Sequence, residues 1–152
     1  MNTKHRTIQT TSTGSPAPAN STTADAGKLL LRVSVGTLVL LHGLFKITHG
    51  VGFVSAMFER AGLPGTLGYL SYIGEVVAPL MMVLGVGTRA GAAVVSVTML
   101  VALGLVHMGQ LFALTPQGGW ALELQGLFLF GAMAVALLGA GRYSVMKPSR
   151  FN

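Results

Sequence analysis

Residues 68–87 read "GYLSYIGEVVAPLMMVLGVG". Almost every position is apolar. At 1.5 Å per residue the run is long enough to cross about 30 Å of hydrocarbon as one helix. Two residues interrupt it. Glu75 places a carboxylate about 13 Å deep, near the bilayer midplane, where a short side chain cannot snorkel to water. Pro79, four residues on, lacks the N–H that would bond the Glu75 carbonyl. The spacing therefore predicts a kinked helix with a bare carbonyl beside the carboxylate.

The rest of the chain reads in the same direction. Of 152 residues, 51% are hydrophobic and 9% are charged, and the mean hydropathy is +0.66. A water-soluble domain carries about a quarter charged residues. The composition predicts an all-α integral membrane protein. There is no Cys, so the chain has no disulfide framework and no thiol chemistry of its own. The net charge of +6 is scattered at helix ends with no interleaved aromatics, which excludes a nucleic-acid surface.

Four long apolar runs follow the N-terminal segment: 28–48, 66–86, 89–111 and 120–140. Together they predict a bundle of four transmembrane helices. The link "VGFVSAMFERAGLPG" (51–65) puts Phe53, Val54, Met57, Phe58 and Ala61 at helical spacing. That predicts a short amphipathic helix in the first outer loop, lying at the membrane surface. Residues 1–27, rich in Thr, Ser, Ala and Pro, read as a disordered tail with no signal peptide. The membrane domain is expected over 28–145, with a short basic tail over 146–152. Lys4, Arg6, Lys28, Arg89, Arg142, Lys147 and Arg150 fall on one side of the bilayer, against Lys46 and Arg60 on the other. This bias puts both termini in the cytoplasm.

The first run has two faces. Arg32, Val35, Gly36, Val39, His42, Gly43, Lys46 and His49 share one, which combines polar groups with glycines that permit close approach; it should face the bundle. Leu30, Leu41, Leu44 and Phe45 share the other, fit for lipid. By depth, His42, Lys46, Glu75, His107, Gln110, Glu123 and Gln125 gather in the outer half, while Arg32 sits near the inner mouth. An ionisable group inside a membrane is a functional candidate, and Glu75 leads this set. The cluster can hold a polar head group such as a quinone, or pass a proton. It can also serve only packing: Lys46 and Glu123 as interfacial anchors, Arg32 as a snorkelling positive-inside residue, and Glu75 as half of a helix-locking pair. His42 and His107 lie at similar depth on different helices, the arrangement of a bis-histidine haem or metal centre. Without a further ligand motif, no metal site is assigned.

The chain resembles the DoxX family of small four-helix bacterial membrane proteins. The resemblance rests on "LLRVSVGTLVLLHGLFKI", on "AGLPG", on Gly74-Glu75, on "LGVGTRAGA", on Glu123 and on "LLGAGRYSV". It implies a multi-pass inner-membrane protein. It further implies a membrane subunit of a redox complex, either quinone-linked, as in thiosulfate:quinone oxidoreductase, or serving thiol homeostasis. Arg32, His42, Lys46, Glu75 and Glu123 are the positions that match, quinone is the implied cofactor, and a soluble redox enzyme is the implied partner. With no Cys in the chain, any sulfur chemistry belongs to that partner, and the chain reads as an oxidoreductase subunit rather than a stand-alone enzyme. A small-solute carrier, with a homo-oligomer supplying the missing walls, and a non-catalytic membrane scaffold are the competing readings.

Overall fold

The computed structural model describes residues 21–146, 149, 151 and 152. The tail expected over 1–27 lies, for residues 1–20, outside the described residues. The first helix, α1, runs Ser21–His49 and so begins seven residues before Lys28. A nine-residue helix, α2, spans Gly52–Arg60. Two composite helices follow: α3 over Gly65–Leu84 and α4 over Thr88–Gln110. The last, α5, spans Glu123–Leu138. By length and composition, three are able to cross a membrane: Thr22–His49 of α1, α3 and α4. At 16 residues, α5 is apolar but shorter. It begins at Glu123 rather than Trp120 because Trp120 is held in an isolated antiparallel bridge to Leu114.

Packing follows from the small residues. α1 lies on α3 and α5, α3 lies on α4, and α4 lies on α5, which closes a ring. Val35 and Val39 of α1, Ala78 and Met82 of α3, Ala92, Val95 and Met99 of α4, and Phe128, Ala132 and Val135 of α5 form one buried core. Lipid is as apolar as these side chains, so their burial alone does not drive association; close backbone approach does. Gly36 and Gly43, seven residues apart on α1, supply it. A Cβ at Gly36 would sit 3.1 Å from the Pro79 carbonyl oxygen, and one at Gly43 would overlap the Glu75 carbonyl oxygen. From the other side, a Cβ at Gly91 would lie 2.8 Å from the Ala78 carbonyl oxygen. Neighbouring glycines thus grip the interrupted part of α3 from both flanks.

The turn joining α3 to α4 is Gly85–Gly87, with φ of 73° at Gly85 and 56° at Gly87. Both lie in the left-handed region that glycine enters at least cost. Asn152 closes this hairpin end: its side-chain oxygen accepts from the Thr88 N–H (3.2 Å) and the Thr88 hydroxyl (2.9 Å). The α2 end, opposite, carries the links 50–64 and 111–122.

Candidate functional site

The interruption of α3 takes the form of a wide π turn over Ile73–Val77 with Glu75 at its centre. Pro79 sits in the first turn of the α-helical stretch that follows. A π turn is a local widening that often accompanies functional sites, and here it is where the chain absorbs the missing Pro79 N–H. The Glu75 carbonyl was expected to stand bare beside the carboxylate. Instead it is covered by Gly43 of α1. The side chain is left as the polar group of this turn. A second π turn, Leu103–His107 of α4, ends on another ionisable residue of the α2 end.

Between the helices at that end lies a cavity of about 490 Å³. Its wall is mostly apolar and draws on every helix, including Phe53, Val54, Met57 and Phe58 of α2. The apolar stripe of α2 thus covers the cavity. Leu70, Val97 and Leu124 line it while being half or more exposed, so the space communicates with the surroundings of the bundle between helices. The polar lining is His42, Lys46, Ser71, Glu75, Thr98, His107 and Gln125.

Glu75 is 6% exposed. Its Oε1 accepts from Lys46 Nζ at 2.5 Å, and the two side chains retain 9% and 23% exposure. The other carboxylate oxygen, Oε2, is buried with no partner among the described residues. Such an acceptor costs free energy until something donates to it. His42 bonds the Leu38 carbonyl of its own helix through Nδ1 (2.9 Å) and meets the Phe128 ring edge-on at 5.6 Å. His107 Nδ1 lies 3.2 Å from Gln110 Oε1, and its Nε2 lies 3.5 Å from Gln125 Nε2.

The expected set therefore divides. His42, Lys46, Glu75 and His107 come together around one cavity. Arg32 does not reach it. It is 2% exposed and points to the hairpin end, where its guanidinium donates to the carbonyls of Met82 (2.6 Å), Val83 (2.7 Å) and Tyr143. The first two are carbonyls at the end of α3, which a cation complements, and the third belongs to the segment after α5. Rather than snorkelling, it ties α1 to the close of α3. Glu123 is exposed at the start of α5 and folds over Gly119; its neighbour Gln125 lines the cavity instead. His49, counted on the inward face of α1, stacks on Phe45 outside the site. The sequence carried no signal for the π turn at His107. For the one at Glu75, the signal was Pro79.

The sequence model of DoxX matches residues 27–108, more than half of the chain and all of α2, α3 and their flanking glycines. The chain belongs to the DoxX family. No curated protein and no solved structure matches it. The matched region holds Lys46, Glu75 and His107, so the ion pair and both π turns lie in the DoxX segment, while Gln125 and Phe128 are added by α5 outside it. With its long apolar helices, this DoxX chain is a membrane protein.

Proposed function

We propose that the chain is a multi-pass subunit of a membrane redox complex, and that its cavity binds a lipid-soluble quinone-type carrier. One observation carries this reading: a buried, unpartnered carboxylate oxygen on Glu75, a residue that lines a mostly apolar cavity open between helices. A ligand for such a site needs an apolar body and a small polar head, and a quinone carrier has both. Glu75 and His42 would bind the head, Lys46 would hold the carboxylate in place, and α2 would cover the ring. In the bilayer, α5 serves as a fourth span, its 16 residues reaching about 24 Å, and α2 lies at the interface. The charge bias orients the hairpin end to the cytoplasm of a bacterial inner membrane.

Reduction of a quinone consumes two electrons and two protons. The chain has no Cys to act as a thiol donor, and in this reading the electrons come from a soluble thiol or sulfur oxidoreductase docked to it. The carrier reading is less well supported, because among the described residues buried Arg32 and Met82 close α1 against α3 beyond the cavity, toward the hairpin end.

The test is extraction from native membranes in mild detergent, with mass spectrometry of what accompanies the protein. Quinone, summed over both redox states, is expected at near-stoichiometric amount. Ala102→Phe, which fills the cavity from its α4 wall, should lower it about tenfold or more while the protein stays folded. Absence of quinone from the unaltered protein would refute the reading. A co-purifying oxidoreductase would identify the partner's chemistry.

A further inference from the structure

The polar groups around the cavity can be sorted by what hydrogen bonds they still have to offer. Paired with the Lys46 ammonium, Glu75 is a carboxylate and only accepts; Oε1 is used and Oε2 is not. His42 Nδ1 faces a backbone carbonyl, which only accepts, so by its partner Nδ1 is assigned the proton and the neutral ring leaves Nε2 as a second free acceptor. The same assignment at His107 spends both nitrogens, Nδ1–H on Gln110 and Nε2 on the Gln125 amide. Ser71 and Thr98 spend their hydroxyl protons on the carbonyls of Gly68 (2.7 Å) and Val94 (3.0 Å). Lys46 and Gln125 keep spare N–H groups, but the one group buried and unpaired among the described residues of this cavity is an acceptor.

We infer that the cavity is built for a head group that donates hydrogen bonds, which for a quinone-type carrier is the reduced, hydroxyl-bearing form. The inference rests on the functional reading above and adds the redox state that the site prefers. A hydroquinone offers two O–H donors, one for Glu75 Oε2 and one for His42 Nε2. The oxidised ring presents only carbonyl oxygens, which leave Oε2 unpartnered and set two acceptors against each other. A hydrogen bond to an ionised acceptor changes affinity by roughly tenfold to a hundredfold.

Three probes decide it in calorimetric titrations of the purified chain in detergent, under anaerobic conditions: a short-chain benzohydroquinone, the matching benzoquinone, and the dimethyl ether of the hydroquinone. The hydroquinone is expected to bind at least about tenfold more tightly than either of the others. Glu75→Gln exchanges the free acceptor for an amide N–H, so in that variant the preference should vanish or turn toward the quinone. The comparison within the unaltered protein stands by itself if that variant fails to fold. Equal affinity for hydroquinone and quinone, or for hydroquinone and its ether, would overturn the inference and leave the quinone reading intact. Failure of all three to bind would overturn both.

Discussion

Replacing Lys46 by Met would strand the Glu75 carboxylate inside the bundle, and the consequence can be estimated from the pair's geometry. At the observed 2.5 Å the direct attraction, with an effective dielectric of about 20, is about 7 kcal/mol. Most of that offsets the cost of withdrawing both charges from water, so it is not the stability contribution. Removing one partner of a buried pair costs about 3–5 kcal/mol. Lys46 keeps 23% of its side-chain exposure, which places the expected loss at the lower end, about 3 kcal/mol, or roughly a hundredfold in the folded-to-unfolded ratio. Glu75→Leu alone should cost about 1 kcal/mol, because the longer lysine stem can carry its charge outward. The double variant, apolar at both positions, should return to within about 1 kcal/mol of the starting protein. The single changes should therefore fail to add by about 3 kcal/mol. Unfolding in mixed micelles, followed by circular dichroism, measures all four proteins. If the double variant is as unstable as the two singles summed, the ion pair contributes nothing and the reasoning is wrong. The same double variant should no longer distinguish hydroquinone from quinone, although it is folded.

The packing sets further expectations. Gly43→Ala forces a Cβ onto the Glu75 carbonyl and within 2.7 Å of Val76 Cγ2, so it should destabilise by about 1–3 kcal/mol. Gly104→Ala, with open space around the added atom, should be neutral or stabilising by up to about 1 kcal/mol; equal melting shifts for the two would refute the close α1–α3 contact. Arg32→Met leaves three carbonyls at the hairpin end without their donor and should lower stability by about 2–4 kcal/mol, with Arg32→Lys recovering part of it because an ammonium lacks the planar fork. The folded Arg32 variants should bind the hydroquinone probe unchanged; a loss of binding at full stability would return Arg32 to the site.

Much of α1 could be read in advance, since a helix facing a bundle repeats its buried positions at a fixed angle. Arg32, Val35, Gly36, Val39 and Gly43 are buried and Leu30, Leu41, Leu44 and Phe45 are exposed, as their spacing requires. The angle fails at the ends of the stripe. His49 has run past the level of its neighbours, and His42 stands at the margin, lining the cavity while exposed. Depth along a helix placed Arg32 apart from the other polar groups, yet it could not say what Arg32 touches. Its partners are backbone carbonyls of Met82, Val83 and Tyr143, and every residue type presents a carbonyl, so composition carries no trace of them.

The sequence by itself determined the solvent, because too few charged side chains exist to cover a surface in water. It also determined the interrupted helix, because Pro79 has no N–H to donate. The pairing of Lys46 with Glu75 rather than with Glu59 or Glu123 was decided by tertiary structure alone. So was the choice of Gln125 over Glu123 at the cavity wall, since a rotation of α5 about its axis moves one out and the other in. The same holds for the bare Oε2 of Glu75. Whether a carboxylate oxygen has a partner depends on what lies within 3 Å of it, and that distance is set by how closely Gly36, Gly43 and Gly91 let three backbones approach.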